Sequence, residues 1–278
     1  MRTLAHISDL HFGRHDVAIA DALAGALERA APDLIVISGD LTQRARRREF
    51  AAARAFIDRL RPPKLIVPGN HDIPLYNVWD RMARPFARYR AVVPRTSARS
   101  PVFADEEICV LGLNTVRRLT GKNGRVSPGQ AAEIGRVFAA APAEAFRILV
   151  THHPIGVPGG AAPLDLAFRS SQALTAVAAA GVHLLLSGHH HRAVSGGIDA
   201  TLAAGRSMLI CFAGTAISTR TRAGHGNSFN LIRIDPPWIE ITVMAFVEGQ
   251  FHAAAGAAYS LDGGIWLPAP GPPLAPGG

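Results

Sequence analysis

Aspartate, asparagine and histidine stand in five short groups along this chain, each just after a strand-like run. The groups are Asp9-Leu10-His11, Gly39-Asp40, Gly69-Asn70-His71-Asp72, His152-His153-Pro154 and Gly188-His189-His190-His191. Asp9 and His11 are two residues apart, as are His189 and His191, so on extended backbone each pair can point to one side. A carboxylate such as Asp40 can serve two cations, one through each oxygen, and Asn70 offers a neutral carbonyl oxygen. A mixed set of imidazole and oxygen donors suits Mn, Fe, Zn or Co better than Ca, which takes oxygen alone. The glycines before Asp40, Asn70 and His189 suit backbone that turns sharply into a crowded site.

Five loops can meet only if the strands before them share a sheet edge. The first two-thirds of the chain alternates β-branched runs with helical stretches, the pattern of an α/β protein. Strands are expected at Thr3–Ser8, Leu34–Ser38, Lys64–Val67, Ile108–Leu113, Arg147–Thr151 and Val182–Ser187. Helices are expected over Ala18–Ala30, Arg47–Leu60, Tyr76–Tyr89, Pro128–Ala140 and Ser171–Ala180, with a break at Pro85. In an open α/β sheet the carboxyl ends of the strands form one rim, where loops converge. Beyond about residue 193 the helices stop. Ala193–Asp199, Met208–Ala213, Ser228–Ile234 and Trp238–Val247 read as four further strands forming a second sheet packed on the first. The expected organisation is one domain over residues 1–267 and a Pro/Gly-rich tail over 268–278.

The five groups, in this order and spacing, resemble the calcineurin-like metallophosphoesterases. The likeness spans about residues 2–235. Ser8-Asp9-Leu10-His11-Phe12-Gly13, His152-His153-Pro154 and Asn227-Ser228-Phe229-Asn230-Leu231-Ile232 are similar to the bacterial class III cyclic-nucleotide phosphodiesterases. The resemblance implies a four-layer α/β/β/α sandwich of two mixed sheets flanked by helices, with the metal site at the strand C-terminal rim. It implies two divalent metal ions. Asp9, His11 and His191 would hold the first and Asn70, His152 and His189 the second, with Asp40 between them. His71 would contact the phosphate with Asn70 and protonate the leaving oxygen, and Asp72 would orient His71 by accepting its other ring proton. His153 is a candidate substrate contact. The activity implied is hydrolysis of a phosphodiester, such as a cyclic nucleotide, by in-line attack of a metal-activated water. Pyrophosphates of nucleotide-sugar lipids, phospholipid headgroups and phosphomonoesters are the alternative substrates, and a non-catalytic metal- or nucleic-acid-binding module ranks last.

The remaining histidines carry bland expectations. His6, His15 and His183 read as structural and His252 as surface; His190 should point away from its neighbours, and His225 sits in a glycine-bracketed loop. Asn114-Thr115 ends a strand on the same rim. The run Arg44-Ala45-Arg46-Arg47-Arg48 reads as a solvated helix start, and Gly156–Ala167 as a substrate rim or subunit contact.

At 278 residues the chain can bury a substantial core, and 48% hydrophobic with 18% charged residues excludes a disordered polymer. The net charge is +8, and all basic residues but Lys64 and Lys122 are arginine. Such a charge attracts anionic substrates or lipid. With aromatics at 6% and no aromatic-studded basic stripe, nucleic acid is not an expected partner. A small phosphate ester is the expected ligand, and peripheral membrane contact and a homodimer are compatible with the surface. Cys109 and Cys211 lie in apolar runs, and the opening residues enter a strand directly; both features fit a cytoplasmic protein.

Overall fold

The structure is a computed structural model that describes residues 1–93, 100–120, 122–158, 165–197, 207–221 and 226–270. The chain begins β1 (Arg2–Ile7), α1 (Val17–Ala30), β2 (Leu34–Ile37), α2 (Arg47–Arg59) and β3 (Lys64–Ile66). Two short helices follow, α3 (Val78–Ala83) and α4 (Ala87–Val92), then β4 (Val102–Ala104) and β5 (Ile108–Leu113). Next come α5 (Pro128–Ala139), β6 (Phe146–Thr151), α6 (Ser170–Ala179) and β7 (Leu184–Ser187). The rest is strand: β8 (Val194–Gly197), β9 (Leu209–Phe212), β10 (Ser228–Asp235), β11 (Trp238–Val247), β12 (Gln250–Asp262) and β13 (Ile265–Ala269).

Local chemistry explains the helix ends. Asp16 caps α1 by accepting from the backbone N–H of Ala18 at 2.8 Å and of Ile19 at 3.2 Å. Ser127 and Gln130 form a capping box at the start of α5, with Pro128 at its first position. The expected helix over 76–89 is two helices, because Pro85 can neither donate to nor fit within a continuous one.

The strands form two mixed sheets. One has seven strands in the order β13-β12-β11-β10-β1-β2-β3, and the other six in the order β4-β5-β6-β7-β9-β8. This overturns the expected division. The four late strands do not make a sheet of their own: β8 and β9 extend the six-stranded sheet, whereas β10 and β11 continue the seven-stranded one from β1. The six early strands are likewise split, three to each sheet. Periodicity records which face of a strand is buried but not which neighbour it pairs with. β4, β12 and β13 are additions to the expected strands, and β13 runs to Ala269, two residues into the stretch read as a tail.

Alternate residues of each strand go to opposite layers. Leu4, Leu34, Val36 and Leu65 meet Val110, Ile148, Val150 and Leu186 between the sheets. Ile7, Ile35 and Ile37 face Leu23 and Leu27 of α1 and Phe50, Phe56 and Ile57 of α2. Leu111, Leu149 and Leu185 face Ile134 and Phe138 of α5 and Ala173 and Val177 of α6. The result is the helix–sheet–sheet–helix order expected. Burial of each such large side chain contributes about 1.5–3 kcal/mol. Two rigid sheets thus hold the ends of β1, β2, β3, β6 and β7 in register.

Candidate metal centre

Each of those five strands gives way to a loop that enters the same small volume. The left-handed backbone of Asp9 (φ 52°), His11 (φ 47°), Asp40 (φ 53°), His189 (φ 73°) and His191 (φ 56°) turns the side chains inward. Aspartate and histidine tolerate this region better than most residues, yet it costs about 1 kcal/mol or more at each position. Backbone bonds compensate: Asp9 N–H donates to the Gly39 carbonyl at 3.0 Å and His11 N–H to the Asp40 carbonyl at 2.9 Å. His189 N–H donates to Asp9 Oδ2 at 3.0 Å, tying the two sheets together at the rim.

The preceding glycines serve two purposes. Gly39 does turn the chain, at φ 103°. Gly69 and Gly188 do not have positive φ, so the sharp-turn expectation fails for them. They are needed for space: a β-carbon on Gly69 would strike Asp40, and one on Gly188 would strike Ser8 and Asp9.

Two lobes of donors result. In one, His191 Nε2 lies 3.1 Å from Asp9 Oδ1 and 3.2 Å from His11 Nε2, and His11 Nε2 lies 3.6 Å from Asp9 Oδ1. In the other, His152 Nε2 lies 3.2 Å from Asn70 Oδ1, and the His152 and His189 rings are 5.2 Å apart. Asp40 Oδ2 stands between the lobes, 3.7 Å from His11 Nε2 and 3.4 Å from His152 Nε2. Its other oxygen accepts the His71 N–H at 2.8 Å. One oxygen, rather than one each, therefore faces both lobes.

The outer ring nitrogens reveal what the inner ones carry. His152 Nδ1 donates to the Ser38 carbonyl at 2.8 Å, and His191 Nδ1 to the Arg220 carbonyl at 3.1 Å. A carbonyl can only accept, so a neutral ring keeps a bare lone pair on the inward Nε2. In the neutral rings those lone pairs face acceptor oxygens, Asp9 Oδ1 for His191 and Asp40 Oδ2 and Asn70 Oδ1 for His152, so a proton or a cation must stand between them. Asp9 Oδ1 is buried without a hydrogen-bond partner. Acceptors packed against acceptors around two buried carboxylates fit a positive charge at their centre. Imidazole, carboxylate and amide oxygen are the donors Mn, Fe, Zn or Co accept.

The acid–base behaviour of the protein groups follows from the same crowding. Burial would raise the carboxyl of Asp9, but His191 and His11 outweigh it and hold it well below the ordinary range. Burial likewise opposes ionisation of Asp40, and His152 with His71 overcomes it. For His152 burial disfavours the proton, yet Asp40 outweighs burial and lifts the ring to about 9. His189 goes the other way, to about 3, through burial and the nearby His152.

Two expected roles need correction. Asp72 does not accept from the His71 ring. It accepts the N–H groups of Leu41 (3.1 Å), Thr42 (2.9 Å) and Gly69 (2.9 Å), and so pins the two loops together. His71 Nδ1 instead donates to the Gln43 carbonyl at 2.7 Å. His153 is buried with both nitrogens committed, Nδ1 to Thr115 Oγ1 at 2.8 Å and Nε2 to the Lys122 carbonyl at 2.9 Å. Its ring does approach His152 and His189, but no free nitrogen remains for a substrate. Thr115, on the expected rim, is its partner, whereas the Asn114 side chain accepts the Val116 N–H.

Other expectations resolve simply. His6 is buried and bonds Ser38 Oγ at 2.9 Å, His183 Nδ1 accepts the Arg147 N–H at 2.9 Å, and His190 packs near Phe212. His225 lies outside the described residues, as do residues 159–164 of the loop after Pro154. The residues that sequence reasoning missed are Ser38, Gln43 and Arg220, which act through backbone carbonyls. No side-chain signature could have announced them.

A two-sheet sandwich with clustered Asp, His and Asn at its rim defines a class of metal-dependent phosphoester hydrolases, and the comparisons agree. Residues 2–193 match the calcineurin-like phosphoesterase family, and the chain belongs to it. It is 43% identical over 82 residues to the glycerophosphodiester phosphodiesterase GpdQ of Enterobacter lignolyticus. That match covers 25% of this chain and 29% of GpdQ, so the chain spans under a third of that relative. In fold it is similar to a dimetal phosphatase from Danio rerio, with a TM-score of 0.66, 15% identity, and coverage of 89% of this chain and 97% of that one. A purple acid phosphatase from yellow lupin (Lupinus luteus) also gives 0.66, at 12% identity over 93% of this chain and 53% of that one.

Proposed function

We propose that this chain is a dinuclear-metal phosphodiesterase acting on a small phosphodiester, with a cyclic nucleotide as the leading substrate. The observation that carries the reading is Asp40 Oδ2 placed between two donor lobes, with His71 beside it. Two divalent cations, when bound, supply Lewis acidity and a water made acidic enough to attack at neutral pH. In this scheme Asp9, His11 and His191 hold one cation, Asn70, His152 and His189 the other, and Asp40 both.

The chain's own residues do the rest. His71 is part-exposed, its ring 4.9 Å from that of His11, so an ester spanning the lobes presents its leaving oxygen to it. With Nδ1–H held by the Gln43 carbonyl, Nε2 carries a proton only in the imidazolium form, and that form is the one able to serve the leaving oxygen. General-acid help of this kind contributes about 10²–10⁴-fold. Support for a diester comes from the segment shared with GpdQ and from the likeness of the motif over residues 227–232 to that of phosphodiesterases; here Asn227 Nδ2 donates to the Ser218 carbonyl at 2.9 Å. In that loop Thr215 Oγ1 donates to the Asp9 carbonyl at 2.7 Å, so the motif braces the first donor loop.

The test is a screen of the Mn²⁺-reconstituted protein against phosphomonoesters, linear diesters and cyclic nucleotides. Turnover of diesters above monoesters is expected; no turnover with any metal or ester would defeat the reading. A second reading is a pyrophosphatase or phosphomonoesterase acting on a nucleotide-sugar lipid or phospholipid headgroup. It is favoured by exposed Tyr76 and Trp79 close after His71, and lipid-linked substrates in the same panel separate the two. A cytoplasmic setting belongs to this proposal, supported by two buried, unpaired thiols; no described helix is long and apolar enough to cross a membrane.

A further inference from the structure

Leu75, Tyr76, Val78, Trp79, Met82 and Leu119 are all exposed, Trp79 at 74% and Leu119 at 82%. They form one surface. Arg81 Nε donates to the Arg118 carbonyl at 2.8 Å and its Nη1 to the Pro74 carbonyl at 3.1 Å, and Arg118 Nη1 donates to the Met82 carbonyl. These bonds stitch the Pro74 and Arg118 loops to α3. Val78 and Met82 are one turn apart on that helix, with Trp79 adjoining, and none of its residues is buried. Large apolar side chains this exposed, on segments held side by side, mark an interaction surface.

Positive charge surrounds the patch. The Arg44 guanidinium lies over the Tyr76 ring, 5.4 Å from its centroid. On the other side of α3, Arg47, Arg84 and Arg88 line a cleft of about 360 Å³ together with Asp80. Asp80 is the acid that answers this group, 3.4 Å from Arg84 and 2.8 Å from Arg88. Arg44, Arg47 and Arg118 make no ion pair among the described residues. The patch also adjoins the metal centre: Leu75 follows Asp72 by three residues, and Arg44 follows the Gln43 whose carbonyl holds His71.

We propose that this face seats the protein on an anionic phospholipid bilayer. Trp79, Tyr76 and their apolar neighbours would enter the headgroup–acyl boundary, while the arginines meet lipid phosphates. Protruding aromatic and aliphatic side chains rimmed by arginine are what an interfacial anchor requires. A second copy of the chain fits less well, because a two-fold contact through this patch sets one arginine rim against the other. Seating on a bilayer does not require the proposed chemistry, so vesicle binding and turnover can fail separately.

The experiment is flotation of the full chain with vesicles of phosphatidylcholine alone or mixed with phosphatidylglycerol, alongside tryptophan emission. Trp266 is buried and Trp238 part-buried, so only a blue shift that disappears in Trp79→Phe reports Trp79 entering lipid. Binding to the anionic vesicles is expected, weakening as salt is raised. Trp79→Ser should weaken it about tenfold, the effect of losing one large buried apolar side chain. Arg44→Gln should weaken it about fivefold, the share of one arginine near a charged surface. Failure to float with anionic vesicles, or equal binding by wild type and Trp79→Ser, would overturn the proposal. So would a dimer that Trp79→Ser abolishes in a protein that ignores both vesicles, which would assign the face to a second copy.

Discussion

In an Asp40→Ala protein, His11 and His152 lose the oxygen that stands 3.7 and 3.4 Å from them. Both lobes share that atom, so metal content measured after gel filtration should fall at both sites and turnover should vanish. Retention of two ions at the wild-type rate would contradict a shared ligand. His71→Gln tests a different function, since its ring hangs from the Gln43 carbonyl and outside the ligand set. Turnover should drop by about 10²–10⁴-fold while metal content stays unchanged. At this scale the sequence was most informative: side-chain type and spacing picked out the five groups, and the family resemblance chose the residues of the two lobes from them. It misjudged Asp72 and His153, whose hydrogen bonds run to backbone donors and to Thr115 and Lys122. Adjacency to a ligand in the chain does not determine which way a side chain turns.

The loops between strand and helix depend on acceptors and on space. Asp72 satisfies three buried backbone donors, and an orphaned buried donor costs about 1–3 kcal/mol. Asp72→Ala should therefore lower the unfolding free energy in denaturant titrations by about 3 kcal/mol or more, with Asn retaining part of it. Unchanged stability combined with a displaced pH–rate profile would instead restore a direct partnership with His71. Gly69→Ala drives a β-carbon into Asp40, so metal retention should fall along with melting temperature. Gly135→Ala in α5 is the control, since a β-carbon there meets nothing within 4 Å; it should be neutral or stabilising by up to about 1 kcal/mol. Apart from the split helix over 76–89 and the unexpected β4, β12 and β13, helix and strand bounds were legible to within about two residues because apolar periodicity and caps such as Ser127 are local. The partition into sheets was not, since β1 pairs with β10 across more than two hundred residues, and no local pattern records such a choice.

For the whole molecule, the buried charges link folding, protons and metal. Although burial disfavours the proton on His152, Asp40 raises its affinity to about 9, above the ordinary value of 6.5. Stabilisation from that proton is complete below pH 6.5 and is lost as pH rises to 9, on the order of a few kcal/mol. Chelator-treated protein should melt at progressively lower temperature over that window, whereas protein saturated with Mn²⁺ should not, because the cation replaces the proton. Identical profiles would mean that metal does not enter this cluster. The most direct measurement is an anomalous difference map from Mn²⁺-soaked crystals. Two peaks about 3.5–4 Å apart are predicted, flanking Asp40 Oδ2, one among Asp9, His11 and His191 and the other among Asn70, His152 and His189. A single peak, or none between the two sheets at the strand rim, would contradict the account.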